Sequence, residues 1–103
     1  MSSLSEIYFN YNKAIAQANQ LDDIAKRLNK AANQDMEKIL NAVNSAWKSD
    51  SAPAYVKKGQ KVEKDMLTTE KNIRNIATTI RTIAKRVRDA ELEAWRIANE
   101  RNG

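Results

Sequence analysis

With 103 residues, the chain has room for one small domain or one long helical unit, and not for two independent hydrophobic cores. It contains only two glycines and one proline, too few for the many turns of a β-sandwich or a barrel. Its net charge is +5, and it has no cysteine and no histidine. This composition excludes a disulfide framework, a thiolate zinc site and a thiol nucleophile, and it removes the commonest general base. We therefore expect a helical protein that is not an enzyme, with no cofactor, metal ion or small-molecule substrate.

The hydropathy of the chain predicts neither a membrane span nor a cleavable signal peptide. No segment approaches the roughly 18 consecutive apolar residues that a membrane span requires. The first residues, Met1–Glu6, have neither a basic start nor an apolar core.

Apolar residues recur at alternating steps of four and three through the first half of the chain. This spacing places their side chains on one face of a helix, as in the seam of a left-handed coiled coil. Asp35 interrupts the stripe, either as a buried polar group or as a surface residue out of register. We favour the second interpretation, because Met36 and Ile39 continue the apolar face. The predicted stripe consists of Ile7, Tyr11, Ala14, Ala18, Leu21, Ala25, Leu28, Ala32, Asp35, Ile39, Ala42 and Ala46.

The second half of the chain carries a similar stripe without an interruption. Gly59 lies within this stripe. A glycine at this position predicts a close approach of the first helix, with Trp47 or Val43 as the neighbour. The predicted stripe consists of Tyr55, Gly59, Val62, Met66, Thr69, Ile73, Ile76, Ile80, Ile83, Val87, Ala90, Ala94 and Ile97.

The segment between the two stripes predicts a turn. Ser and Asp are preferred residues at a helix start, and Pro53 fits the first turn of a helix but not its interior. We expect one helix at about 4–47, a turn at about 48–52 and a second helix at about 53–100. The predicted fold is all-α, with two long antiparallel helices in a single helical-hairpin domain. One unbroken rod is the alternative, but it leaves Pro53 unexplained.

The apolar surface is wider than one contact between two helices requires. Further rows flank both stripes, so a lone hairpin would leave a long apolar strip exposed. We therefore expect a four-helix bundle, formed by dimerisation or by docking on another helical protein. The alternative is that the flanking rows only thicken the contact within the hairpin. The candidate interface residues are Ile15, Leu21, Leu28, Ile39, Val62, Met66, Ile73, Ile76, Ile80, Ile83, Val87 and Trp95.

The segment at residues 45–55 resembles the WXG-type, early-secreted-antigen-like small proteins of bacterial type VII secretion. Members of that family are about as long as this chain, fold as helical hairpins with Trp-x-Gly at the turn, and often carry an aromatic residue shortly afterwards. Trp47 matches the tryptophan, Ser49 occupies the glycine position and Tyr55 matches the later aromatic. The resemblance extends over the whole predicted architecture.

Two departures from the family pattern bear on function. Serine in place of glycine loses easy access to positive φ. The family's export signal, a tyrosine followed four residues later by Asp or Glu beyond the second helix, is missing, because no tyrosine follows Tyr55. The resemblance implies that one member of a pair can carry this signal for both, so this chain would be the partner without it.

The function that the resemblance implies is that of an adaptor or targeting partner. The chain would pair in the cytoplasm with a second WXG-type protein or with the helical N-terminal region of a WXG- or LXG-type effector, and would then be secreted. A homodimer of the same family, exported in its own right, is the first alternative.

A row of basic residues in the second half raises an alternative of another class. Arg74, Arg81, Lys85 and Arg88 fall on one helix face. We interpret this row as a solvated face, with docking to an acidic partner as the second choice. Nucleic-acid binding is the least favoured, because no aromatic residue is interleaved and Asp89 follows directly.

Overall fold

The structure, a computed structural model, describes residues 3–47 and 50–102. Within these residues the secondary structure is helical and no strand occurs, which confirms the predicted all-α class. The elements are helix α1 (Leu4–Lys30), a π-helical segment (Ala31–Met36), helix α2 (Glu37–Ala46) and helix α3 (Ser51–Asn102).

The helix boundaries at the turn follow from the local sequence. Trp47 has an extended backbone (φ −89°, ψ 112°) and ends α2, while its N–H still donates to the Val43 carbonyl at 2.9 Å. Helix α3 begins at Ser51, two residues before the predicted start. Pro53 is the third helical residue, where a missing N–H costs little because the first-turn N–H groups have no partner within the helix.

The chain divides into two compact units, which we name the turn unit (Asp22–Arg74) and the terminal unit (Met1–Leu21 with Asn75–Gly103). In the turn unit, the side-chain amide of Asn29 donates to Glu70, and Leu40 lies against Gly59. We name α1, the π-helical segment and α2 together the first arm, and α3 the second arm. Leu40 follows Asn29 on the first arm, whereas its neighbour Gly59 precedes Glu70 on the second, so the two arms of this unit are antiparallel. The most deeply buried side chains of this unit are Ala25, Ala32, Leu40 and Ala52.

In the terminal unit, the end of α3 packs against the start of α1. The guanidinium of Arg81 donates to Asn19 at 2.8 Å, and the guanidinium of Arg88 lies 4.4 Å from the centre of the Tyr11 ring. These pairs also run in opposite directions along the two arms. The buried side chains here are Ile7, Ala18 and Ala77.

The π-helical segment corrects the predicted seam of the first arm. Its i→i+5 hydrogen bonds add one residue to the turn. Met36 and Leu40 therefore face the other arm, while Asp35 and Ile39 are exposed. The interpretation of Asp35 as a surface residue out of register is confirmed. Ile39, which the regular heptad placed in the seam, lies outside it.

The seam of α3 also differs from the predicted stripe. Gly59, Met66, Ile73 and Ile80 face the first arm, and the other buried or half-buried residues of the seam include Ala52, Val56, Ala77 and Ala84. The remaining large members of the predicted stripe are exposed to solvent: Tyr55, Val62, Ile76, Ile83, Val87 and Ile97. Small residues in the first arm bring the backbones close together, and the wide isoleucine side chains at 76 and 83 are turned outward.

Gly59 does mark a close approach of the two arms in the turn unit. A Cβ atom placed there would clash with the Leu40 side chain, which is only 4% exposed. The neighbour is therefore Leu40, and not Trp47 or Val43 as the sequence suggested.

We predict that deletion of Gln34, an exposed residue of the π-helical segment, is tolerated. Removal of the extra residue turns the segment into regular α-helix and leaves Met36 and Leu40 in the seam, so thermal unfolding followed by circular dichroism should show a change below about 1 kcal/mol. Deletion of Gln17, also exposed, is the control. It rotates Ile7, Tyr11 and Ala14 by about 100° relative to Ala18 and should cost more than about 3 kcal/mol. Equal losses from the two deletions would contradict this description of the register.

Candidate protein-binding surface

An apolar groove lies along one side of the terminal unit, with a volume of about 290 Å³. Ile7, Tyr11 and Ala14 of α1 form one wall, and Ile80, Ile83 and Val87 of α3 form the other. A groove of this lining offers a place for apolar side chains of a partner rather than for a polar substrate.

Two residues of the groove wall, Ile83 and Val87, belong to a row of exposed apolar side chains on α3. Ile76 and Ile83 are separated by seven residues, which places them on the same face of the helix, and they are 53% and 54% exposed. Val87 lies one turn after Ile83 and is similarly exposed. We name Ile76, Ile83 and Val87 the apolar strip. Exposed apolar residues grouped on one helix face are typical of interaction surfaces.

The turn unit exposes large apolar side chains of its own. Ile24 and Ile39 on the first arm, and Tyr55 and Val62 on α3, are each about half exposed. None of these four residues lies in the seam between the arms of this unit.

The predicted interface residues fall into two groups by burial. One group is exposed and could meet a partner: Ile39, Val62, Ile76, Ile83 and Val87. The other group is half-buried in the structure of the chain: Ile15, Leu21, Leu28, Met66, Ile73, Ile80 and Trp95.

The aromatic residues of the turn motif are in contact. The ring centres of Trp47 and Tyr55 are 5.0 Å apart with an angle of 46° between the ring planes, a tilted arrangement favourable for aromatic pairs. Both rings remain accessible, with exposed fractions of 46% and 51%. Ser49, the third residue of the predicted motif, lies outside the described residues.

The predicted basic face is not one free surface. Arg74 pairs with Glu70 at 2.8 Å, Arg81 donates to Asn19, and Arg88 contacts both Tyr11 and Asp89. Lys85 is exposed. The guanidinium groups of Arg81 and Arg88 thus hold the two arms of the terminal unit together, a role that the spacing of charges alone did not indicate.

Two glutamates that join the arms of the turn unit have opposite electrostatic surroundings. Hydrogen bonds from Asn29 and Arg74 hold the pKa of Glu70 below its ordinary value. The pKa of Glu63 is raised, first by its hydrogen bond with Glu37, then by burial and by the charge of Glu37. The neighbourhood of Glu37 therefore disfavours the ionised form of Glu63.

A second basic row in the turn unit was missed in the sequence. Lys57, Lys61 and Lys64 follow one another at steps of four and three, and all three are exposed. The helical spacing of these lysines is visible in the sequence. It was overlooked because the apolar stripe has the same steps of four and three and was assigned first.

Within residues 3–47 and 50–102, no three side chains of His, Cys, Asp or Glu are grouped closely enough to hold a metal ion. In the same part of the chain, no helix is both long enough and apolar enough to cross a membrane.

The arginines offer a direct test of the reassigned basic face. We expect Arg88→Gln to lower the free energy of unfolding by about 0.5–1 kcal/mol, because it removes the contact with the Tyr11 ring. Lys85→Gln, which makes the same change of charge, should stay within about 0.5 kcal/mol of wild type. Denaturant unfolding measures both. If the two substitutions have equal effects, Arg88 contributes only charge and not a contact.

The opposite pKa shifts of Glu63 and Glu70 predict opposite dependences of stability on pH. A carboxyl with a raised pKa in the folded state contributes stability at low pH that is lost as the pH rises through that pKa, so Glu63→Gln should raise the melting temperature at pH 7. A carboxyl with a lowered pKa contributes stability above its unfolded pKa, so Glu70→Gln should lower the melting temperature at pH 7. Both differences from wild type should shrink at pH 3. If both substitutions raise the melting temperature at pH 7, or both lower it, the opposite pKa shifts assigned to Glu63 and Glu70 are contradicted.

We compared the chain with models of known protein families, with curated proteins and with solved structures, and no match was found in any of the three comparisons.

Proposed function

We propose that this protein is a non-enzymatic helical adaptor that binds a helix of another protein. The observation that carries the proposal is the exposure of Ile76, Ile83 and Val87 beside the apolar groove of the terminal unit. Fully burying an isoleucine or valine side chain is worth about 1.5–3 kcal/mol, so this strip offers a substantial gain to any partner that covers it. An amphipathic helix with apolar residues at steps of three and four would fit such a strip.

The more specific part of the proposal is a role in type VII secretion. It rests on the resemblance around Trp47 and Tyr55, whose accessible, paired rings at the turn agree with a surface for recognition. In this proposal the chain pairs in the cytoplasm with the helical N-terminal region of an effector, or with a second WXG-type protein, and leaves the cell with it. The partner then carries the export signal.

A homodimer is the alternative that uses the same surface. The row of Arg74, Arg81, Lys85 and Arg88 gives little support to the nucleic-acid alternative, because Arg81 and Arg88 are engaged with the first arm and Arg74 with Glu70.

A double substitution of exposed residues tests the proposed surface. Ile76→Asp with Ile83→Asp should leave the chain folded, because both side chains are half exposed, but it should abolish association, because an unpaired charge in an interface costs several kcal/mol. Asn75→Asp with Thr82→Asp, at exposed positions of the same helix, is the matched control and should associate as wild type does.

The measurement is size-exclusion chromatography after co-expression with the helical N-terminal region of an LXG-type effector. Co-elution with the wild type and the control, but not with the isoleucine variant, is the expected result. Sedimentation of the purified chain at micromolar concentration separates the alternatives: a monomer awaits another partner, whereas a dimer that the isoleucine variant loses is the homodimer. Association that survives the substitutions at 76 and 83 would contradict the assigned surface.

The secretion role has a separate test. In the native host, the chain should appear in the culture filtrate and should be retained in the cells when the type VII ATPase gene is deleted. Unchanged export in the deletion strain would reject the secretion assignment and leave helix binding standing.

A further inference from the structure

The outer face of α3 in the turn unit carries a row of lysines that the proposed function does not use. Lys57, Lys61, Lys64 and Lys71 lie at steps of four, three and seven, which places them along one side of the helix, and Lys58 flanks them. All five are exposed. We name them the lysine face. At about 1.5 Å per residue, the face extends about 21 Å along the helix axis.

The charge of the lysine face is not neutralised by the chain. Within the part of the chain that the structure describes, none of the five lysines forms an ion pair with a carboxylate. Asp65 lies at the edge of the face. Four of the lysines also line a shallow depression, together with Ala54 and Gln60. The face therefore presents a linear array of cations toward solvent.

The residues of the lysine face indicate which class of partner it fits: a protein, a membrane or a nucleic acid. Stable protein interfaces have an apolar core from which lysine is depleted, whereas the exposed residues among these lysines include Gln60, Asp65 and Thr68. Helices that lie on membranes insert a broad apolar face beside their basic one, whereas among the described residues of α3 in the turn unit only two large apolar side chains, Tyr55 and Val62, are exposed. Phosphate backbones require only placed cations, and a duplex carries one charge about every 1.7 Å along its axis.

We propose that the lysine face binds the phosphate backbone of duplex nucleic acid without sequence preference. Because no aromatic residue is interleaved along the row, it offers no platform for stacking single-stranded bases, and its contacts are to phosphates rather than to base edges. The apolar strip of the terminal unit is not needed for this contact, so the inference is independent of the proposed adaptor role.

The test is fluorescence anisotropy of a labelled 20-base-pair duplex of arbitrary sequence, titrated with the full chain at several salt concentrations. The quadruple variant Lys57→Gln, Lys61→Gln, Lys64→Gln and Lys71→Gln should bind at least about tenfold more weakly at low salt. The slope of log affinity against log salt should fall in magnitude by about 0.9 for each lysine that contacts a phosphate.

The matched control removes the same charge elsewhere. Lys13→Gln, Lys26→Gln, Lys30→Gln and Lys38→Gln change four exposed lysines of the first arm, and this variant should keep most of the affinity and the salt slope. Circular dichroism should show the same helicity for both variants, because glutamine and lysine have similar helix propensities.

Three results would overturn the proposal. The first is the absence of duplex binding by the wild type at low salt. The second is an equal loss of affinity in the control variant, which would assign the binding to net charge alone. The third comes from competitors: if polyglutamate, or vesicles of phosphatidylserine and phosphatidylcholine, bind as tightly as the duplex and depend equally on the four lysines, the face recognises another class of anionic partner.

Discussion

The close packing of small side chains between two antiparallel arms is the constraint on which the rest of the structure depends. In both units, most of the deeply buried side chains are alanines: Ala25, Ala32 and Ala52 in one, Ala18 and Ala77 in the other. Alanine lets helices approach closely, but each methyl group contributes only about 0.8 kcal/mol of burial, against 1.5–3 kcal/mol for a large aliphatic side chain. The seam thus holds the arms together with little apolar area.

Many of the larger apolar side chains lie outside this alanine-rich seam. Ile76 and Ile83 lie outside the seam and are about half exposed, and Ile83 lines the groove of the terminal unit. Polar contacts close the edges of the seam instead, with Arg88 on Tyr11 and Asn29 on Glu70. This exposed apolar surface is the physical basis of the adaptor proposal.

Periodicity predicted the helices and the surplus of apolar surface, and the Ser, Asp and Pro residues between the stripes predicted the turn, because these features depend on the local sequence. It did not predict the rotation of α3, because Ile73 and Ile76 are equally apolar and only the shape of the opposite arm decides which one faces it. The π-helical segment was signalled by Asp35, but a single polar residue cannot show that the helix itself widens. The roles of Arg81 and Arg88 depend on residues about 60–80 positions away in the chain, beyond the reach of any local pattern.

Because the chain contains no cysteine, single cysteines can report directly on whether the apolar strip is uncovered. The measurement is the rate of thiol labelling of Ile76→Cys, Ile83→Cys and Ala77→Cys in the dilute, isolated chain. We predict labelling at 76 and 83 close to the rate of an unfolded control, and strong protection at 77, whose alanine is fully buried. Equal protection at all three positions, independent of protein concentration, would show that the chain covers its own apolar strip and would contradict the account.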